Sequence, residues 1–154
     1  MPTLSAVLRY VRANDFLVNV EIKPTPGREW QTGAAVALDV ANFWQANEPL
    51  PLLSSFSETA LQAAREVAPR LPRAHLFDQL PADWLDRLAR LDCLALDVNH
   101  RELSEGVVAR THEAGFRVLC YTVNDVDRAR ELLAMGVDSV ITDAVDKIPP
   151  NAGA

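Results

Sequence analysis

Helix-period and strand-period apolar patterns alternate six times along this chain, and no two-residue hairpin signal such as Asn-Gly separates any two strand-like runs. Alternation in units of about 20 to 25 residues implies a parallel sheet, because each strand reaches the start of the next through a helix. The choice of folds is therefore narrow. With 154 residues, 49% of them hydrophobic, the chain has material for one domain with a real core.

Leu4, Val7, Leu8 and Val11 recur at helical spacing, with Thr3 placed to cap a first helix and Asn14-Asp15 to stop it. A strand is expected over Phe16 to Lys23, then a turn at Pro24, Pro26 and Gly27, since proline cannot extend a ladder. The second helix is expected over Glu29 to Gln45 and the second strand over Leu52 to Phe56. Ser57 caps a helix bearing Leu61, Ala64 and Val67, and a short strand follows at Ala74 to Phe77. Pro81 to Arg90 reads as a helix, and Cys93 to Val98 as a strand covered on both faces, being almost wholly apolar. Leu103 to Ala114 is helical and stops at Gly115, and Arg117 to Val123 is a strand. Asn124 opens the last helix, which ends at Gly136 before a strand at Asp138 to Thr142.

No strand is followed by G-x-G-x-x-G or a P-loop sequence, so a nucleotide-binding doubly wound sheet has little support. The expected fold is an α/β TIM (β/α) barrel. A complete one takes roughly 250 residues and eight strands. Six strands fall short, so the barrel over residues 1–148 is expected to be incomplete, with 149–154 as a tail.

Net charge is −6, and Lys and Arg are scattered rather than striped, so no footprint for nucleic acid or anionic lipid is visible. No apolar run approaches a membrane span, and the N-terminus lacks a charged start followed by an apolar core. A soluble, cytoplasmic protein is expected. Cys93 and Cys120 sit inside apolar strand-like runs and read as buried, reduced thiols. His75, His100 and His112 show no metal-ligand spacing and read as structural or surface residues, His100 as solvent-facing or beside a helix cap.

Ligand chemistry in a barrel gathers at the C-terminal ends of the strands. Read in order, those ends carry Glu21 and Lys23, Ser54 and Ser55, Asp78, Asp97 and Asn99, Tyr121 with Asn124, and Asp143. Glu21 and Lys23 are two residues apart and share one strand face among Val18, Val20 and Ile22. Either they satisfy each other as an ion pair, or both face a shared ligand such as a metal and a phosphate. Asp97 shares parity with Ala95 and Asn99, whereas Leu94, Leu96 and Val98 are expected to face helices. Tyr121 reads as core packing or as a substrate contact, Asn124 as an N-cap, and Asp125, Asp127 and Asp138 as first-turn and loop charges.

NVEIKP at 19 to 24, LLSSF at 52 to 56, DVNHREL at 97 to 103, AGFRVLCYTVN at 114 to 124 and GVDSVITDAVD at 136 to 146 together resemble the glycerophosphodiester phosphodiesterase family, closest to its cytosolic bacterial members. The resemblance covers nearly the whole chain in the family's order. It implies a TIM barrel that hydrolyses glycerophosphodiesters to glycerol 3-phosphate and an alcohol, using a divalent cation such as Mg²⁺ or Ca²⁺. Carried over by residue, it makes Glu21 a metal-binding carboxylate, Lys23 the lysine that reaches the phosphate, and Tyr121 the aromatic beside the glycerol moiety. Ser54 and Ser55 match a strand end near the site without a role.

Family members begin earlier, with a first strand ending in His-Arg and a second carrying Glu-x-Asp and a further histidine; these two N-terminal strands do not stand in the 154 residues. The expectations are negligible activity for this chain alone, and a homo-oligomer or a separate N-terminal piece that covers two open sheet edges. The alternative is a non-catalytic barrel remnant that binds a polyol phosphate or a protein partner.

Overall fold

The structure is a computed structural model that describes residues 2–44 and 49–149. Helices and strands alternate along it: α1 (Leu4–Ala13), β1 (Asn19–Glu21), α2 (Glu29–Phe43), β2 (Leu52–Ser55), α3 (Glu58–Val67), β3 (Arg73–Phe77), α4 (Trp84–Arg90), β4 (Ala95–Asn99), α5 (Glu105–Glu113), β5 (Arg117–Tyr121), α6 (Val126–Ala134) and β6 (Ser139–Val140). One six-stranded sheet runs in the order β1-β2-β3-β4-β5-β6. The pairs β1 with β2, β4 with β5 and β5 with β6 are parallel. Parallel strands lying beside their sequence neighbours, with helices between, are the pattern of a TIM barrel, here with six of its eight strands. No described helix is long and apolar enough to cross a membrane.

The chain divides into two compact units, Met1–Ala74 and His75–Ala154. In the first, Thr3 caps α1 by accepting from the Ala6 N–H, and Asp15 stops it in the left-handed region at φ 54°. Leu8 and Val11 carry the buried face of α1 into a core with Ile22, Ala37, Val40, Leu53, Ala60, Ala64 and Leu71. Each fully buried leucine there stabilises the fold by about 1.5–3 kcal/mol. Helices α2 and α3 approach so closely at Gly33 that an added Cβ would collide with the Ala60 carbonyl oxygen. Any side chain at that position forces the two helices apart.

β1 is shorter than Phe16 to Lys23. It is an outer strand, and its bonds to β2 run only from the Val18 carbonyl to the Ile22 N–H, where β2 lies alongside. Phe16 and Leu17 therefore stay 54% and 80% exposed. The expected end of α2 at Gln45 lies outside the described residues.

In the second unit, α4 begins at Trp84 rather than Pro81: the Trp84 N–H donates to the Pro81 carbonyl in a turn before the helix, and Asp83 at the N-cap turns its carboxylate to Arg87. α5 begins after Ser104, whose hydroxyl accepts from the Val107 N–H, so the expected start at Leu103 gives way to a 3-10 turn at His100–Glu102. Gly115 and Gly136, at φ 88° and 96°, close α5 and α6 as expected. β4 is covered on both faces, with Leu96, Asp97 and Val98 fully buried. Leu94 departs from its expected helix-facing place: it precedes the strand and is 49% exposed.

Candidate functional site

At the end of β1 the alternation is clean. Ile22 is 2% exposed within the helix-side core, and Val18 and Val20 pack against the same cluster. Glu21 and Lys23 take the opposite face, and Lys23 Nζ lies 3.2 Å from Glu21 Oε2. The Lys23 side chain is 76% exposed and that of Glu21 34%, so this ion pair contributes about 0–1 kcal/mol. Such a pair neither holds the fold together nor resists a competing ligand.

Position is secured instead from below. The Ser55 hydroxyl donates to the Ile22 carbonyl at 2.7 Å and accepts from the Ser57 N–H at 3.1 Å, while the Ile22 N–H donates to the Ser54 carbonyl at 2.7 Å. Both backbone polar groups of the residue between Glu21 and Lys23 are thus fixed. Sequence reasoning gave Ser55 no role. The available signal was a serine two residues before a helix cap, where its hydroxyl can take the N–H that otherwise goes unpaired. Ser54 is buried beside Glu21, its partner in the β1–β2 register.

A second set of strand ends is stitched together in the other unit. Tyr121, half-buried at the end of β5, donates its hydroxyl to the Phe77 carbonyl at 2.8 Å. The Asn99 amide donates to Asp78 at 3.0 Å, and the same side chain accepts from the Arg101 N–H. Glu102 accepts from the Leu80 N–H. The loops after β3 and β4 are therefore tied to each other, and the Tyr121 ring is held by its polar end.

Two expectations for polar residues change here, and one is sharpened. Asn124 does not cap α6: Asp125 does, accepting from the Arg128 N–H at 2.8 Å. The Asn124 side chain is committed elsewhere, accepting from the Thr142 hydroxyl and the Asp143 N–H beyond β6. Asp138 is no simple loop charge, since it bonds His112 at 2.8 Å, Arg117 at 2.9 Å and the Val118 N–H at 2.8 Å. Burial pushes its carboxyl up, but these three partners outweigh that and hold it below the usual carboxylate range. His100 takes the second of its two expected places, directly after Asn99, the cap of the 3-10 turn; it is half-buried, and Arg128 donates to both its carbonyl and its Nδ1. Burial, then the charges of Arg128 and Arg101, push the imidazole below its ordinary range and favour the neutral ring.

Cys93 and Cys120 are free thiols, both buried. Asp97 is fully buried in β4, registered against Leu119. A groove lined by Arg12, Asp15, Phe16, Leu17, Trp44 and Pro49 sits at the start of β1, the end remote from Glu21.

Among the described residues no group of three or more His, Cys, Asp or Glu side chains is placed to hold a metal ion. A hard cation takes six or more oxygens, so these residues do not by themselves make its site.

Sequential parallel strands with polar groups at their C-terminal ends define a (β/α)-barrel protein. A model of the glycerophosphoryl diester phosphodiesterase family matches residues 1–147, and the chain belongs to that family. The glycerophosphodiester phosphodiesterase of Caldanaerobacter subterraneus subsp. tengcongensis is 28% identical over 148 residues, which are 93% of this chain and 58% of that relative. The fold matches an Oleispira antarctica phosphodiesterase, solved in complex with the product sn-glycerol-3-phosphate, with a TM-score of 0.90 and 32% identity. That match covers 98% of this chain and 60% of the other. A glycerophosphodiester phosphodiesterase from Thermotoga maritima, 22% identical, shares the fold at a TM-score of 0.72, over 94% of this chain and 61% of its own. The chain thus spans about 60% of the length of the relatives it matches.

Proposed function

We propose that this chain contributes the C-terminal strands of a glycerophosphodiester phosphodiesterase, which cleaves glycerophosphodiesters to glycerol 3-phosphate and an alcohol. Lys23 anchors the phosphate, Tyr121 lies beside the glycerol moiety, and Glu21 supplies one carboxylate to a divalent cation, Mg²⁺ or Ca²⁺, whose other ligands lie outside the described residues. The observation that carries this reading is the strand end itself. An exposed ammonium on a backbone pinned by Ser54 and Ser55 is free to leave Glu21 for an anion, because little is lost when the pair opens. Family membership and the glycerol phosphate bound in the Oleispira antarctica relative support the choice of substrate.

With one carboxylate and no described metal cluster, the 154-residue chain alone is expected to turn over glycerophosphocholine far below 1 s⁻¹ in Mg²⁺ or Ca²⁺, the low end for ordinary enzymes. It is expected to bind sn-glycerol 3-phosphate, and Lys23→Ala to lose that binding. Turnover near 1 s⁻¹ sinks the first expectation, and binding indifferent to Lys23 sinks the anchor.

The same missing donor cluster favours a second reading, a non-catalytic barrel that binds a polyol phosphate or a protein partner. Adding the barrel segment of a relative that carries the remaining ligands separates the two, since only the first reading expects activity to return. The outer strands β1 and β6 are the surfaces for such a segment or for a second copy of the chain, through backbone groups that have no strand neighbour among the described residues. Two reduced thiols support assignment to the cytoplasm.

A further inference from the structure

We propose that Ser54 is a ligand-contacting residue whose hydroxyl hydrogen-bonds the phosphoryl group anchored by Lys23; this rests on the phosphate-binding reading above. Ser54 is fully buried, and its Oγ has no hydrogen-bond partner among the described residues. A hydroxyl removed from water without a partner destabilises the fold that holds it. For strand structure alone, alanine would serve better. The contrast with Ser55 is direct, since that hydroxyl is bonded in both directions.

The place of the orphaned hydroxyl points to its use. In the parallel ladder Ser54 is registered against Glu21, and Leu53 against Val20. Leu53 belongs to the helix-side core, so strand alternation puts Ser54 on the other face, the one carrying Glu21 and Lys23. The exposed pair between those two opens at little cost. A phosphoryl group that draws the Lys23 ammonium away has Ser54 as the neighbouring strand's donor on that face. The two groups supply different things: the ammonium is a charge on a flexible stem, and the hydroxyl is a directional donor on a fixed backbone. Glu21 supplies neither to an anion.

The 154-residue chain, Ser54→Ala and Lys23→Ala are each titrated with sn-glycerol 3-phosphate, following backbone amide resonances, and each is melted without ligand. Ser54→Ala is expected to bind about tenfold more weakly, with a melting temperature equal to or above that of the parent. Equal affinity in Ser54→Ala, alongside weakened Lys23→Ala, overturns the role of Ser54 and leaves the phosphate anchor standing. Parent binding that is absent, or indifferent to Lys23, overturns the phosphate reading and this proposal with it. A lowered melting temperature in Ser54→Ala shows that the hydroxyl already has a structural partner, which also overturns the proposal.

Discussion

The Ser55 hydroxyl donates a 2.7 Å hydrogen bond to the carbonyl of Ile22, joining the ends of β1 and β2 at the residue that separates Glu21 from Lys23. Ser55→Ala leaves that carbonyl and the Ser57 N–H without this partner, at a cost of about 1–3 kcal/mol. A chain of this size is expected to melt roughly 2–4 °C lower for each kcal/mol lost. An unchanged melting temperature in Ser55→Ala would show that the two strand ends are held by other means.

Acid should release the Asp138 cluster. Its carboxyl lies below the unfolded value of 3.8 when folded, because the Val118 N–H, His112 and Arg117 outweigh the upward push of burial. A carboxyl depressed by folding stabilises fully above its unfolded value and loses that stabilisation as pH falls through its folded value. Urea midpoints of the parent should therefore drop from about pH 5 downward more steeply than those of Asp138→Asn. Parallel curves for the two proteins would argue against the cluster as an acid-sensitive support.

Tyr121 is bonded through its hydroxyl to Phe77, while the proposed function puts its ring beside the ligand, and the two ends can be separated. Tyr121→Phe removes the hydroxyl bonded to the Phe77 carbonyl and keeps the ring. A loss of about 0.5–1.5 kcal/mol in denaturant unfolding is expected, with glycerol phosphate affinity within about twofold. Tyr121→Ala, which also removes the ring, should weaken binding further. If the phenylalanine variant keeps full stability and loses binding, the hydroxyl belongs to the ligand and not to Phe77.

Cys120 should be chemically silent in the folded chain. Burial, reinforced by the Asp97 charge and only partly opposed by Arg128, pushes its thiol up to about 12. Since the thiolate is the reactive form, iodoacetamide at pH 8 should label Cys120 only after denaturant is added. Rapid labelling of the native protein, located by mass spectrometry, would contradict the burial of β5.

The alternating architecture was readable because its signals are local. Thr3 and Ser57 cap the helices that follow them, and Gly115 and Gly136 supply the left-handed turn that ends a helix. Strand lengths were not readable in the same way. β1 is limited by where β2 runs alongside, and that partner is far along the chain. The choice between Asn124 and Asp125 as cap was equally non-local: both side chains suit the position, and Thr142 with Asp143 claim the first.

At the site, a period of two placed Glu21 and Lys23 on one face without any structure. The bond from Ser55 to Ile22 crosses 33 residues and leaves no trace in either local pattern. Asp138 was misread for the same reason, its partners His112 and Arg117 lying 26 and 21 residues away.

The sequential strand order bears on how the protein is made. Among the described strands, each one after β1 leaves the ribosome to find its upstream neighbour already synthesised, one helix before it. Each addition closes only a short loop, which keeps its entropic cost small. The Glu21 and Lys23 strand acquires its fixed end when Ser55 follows.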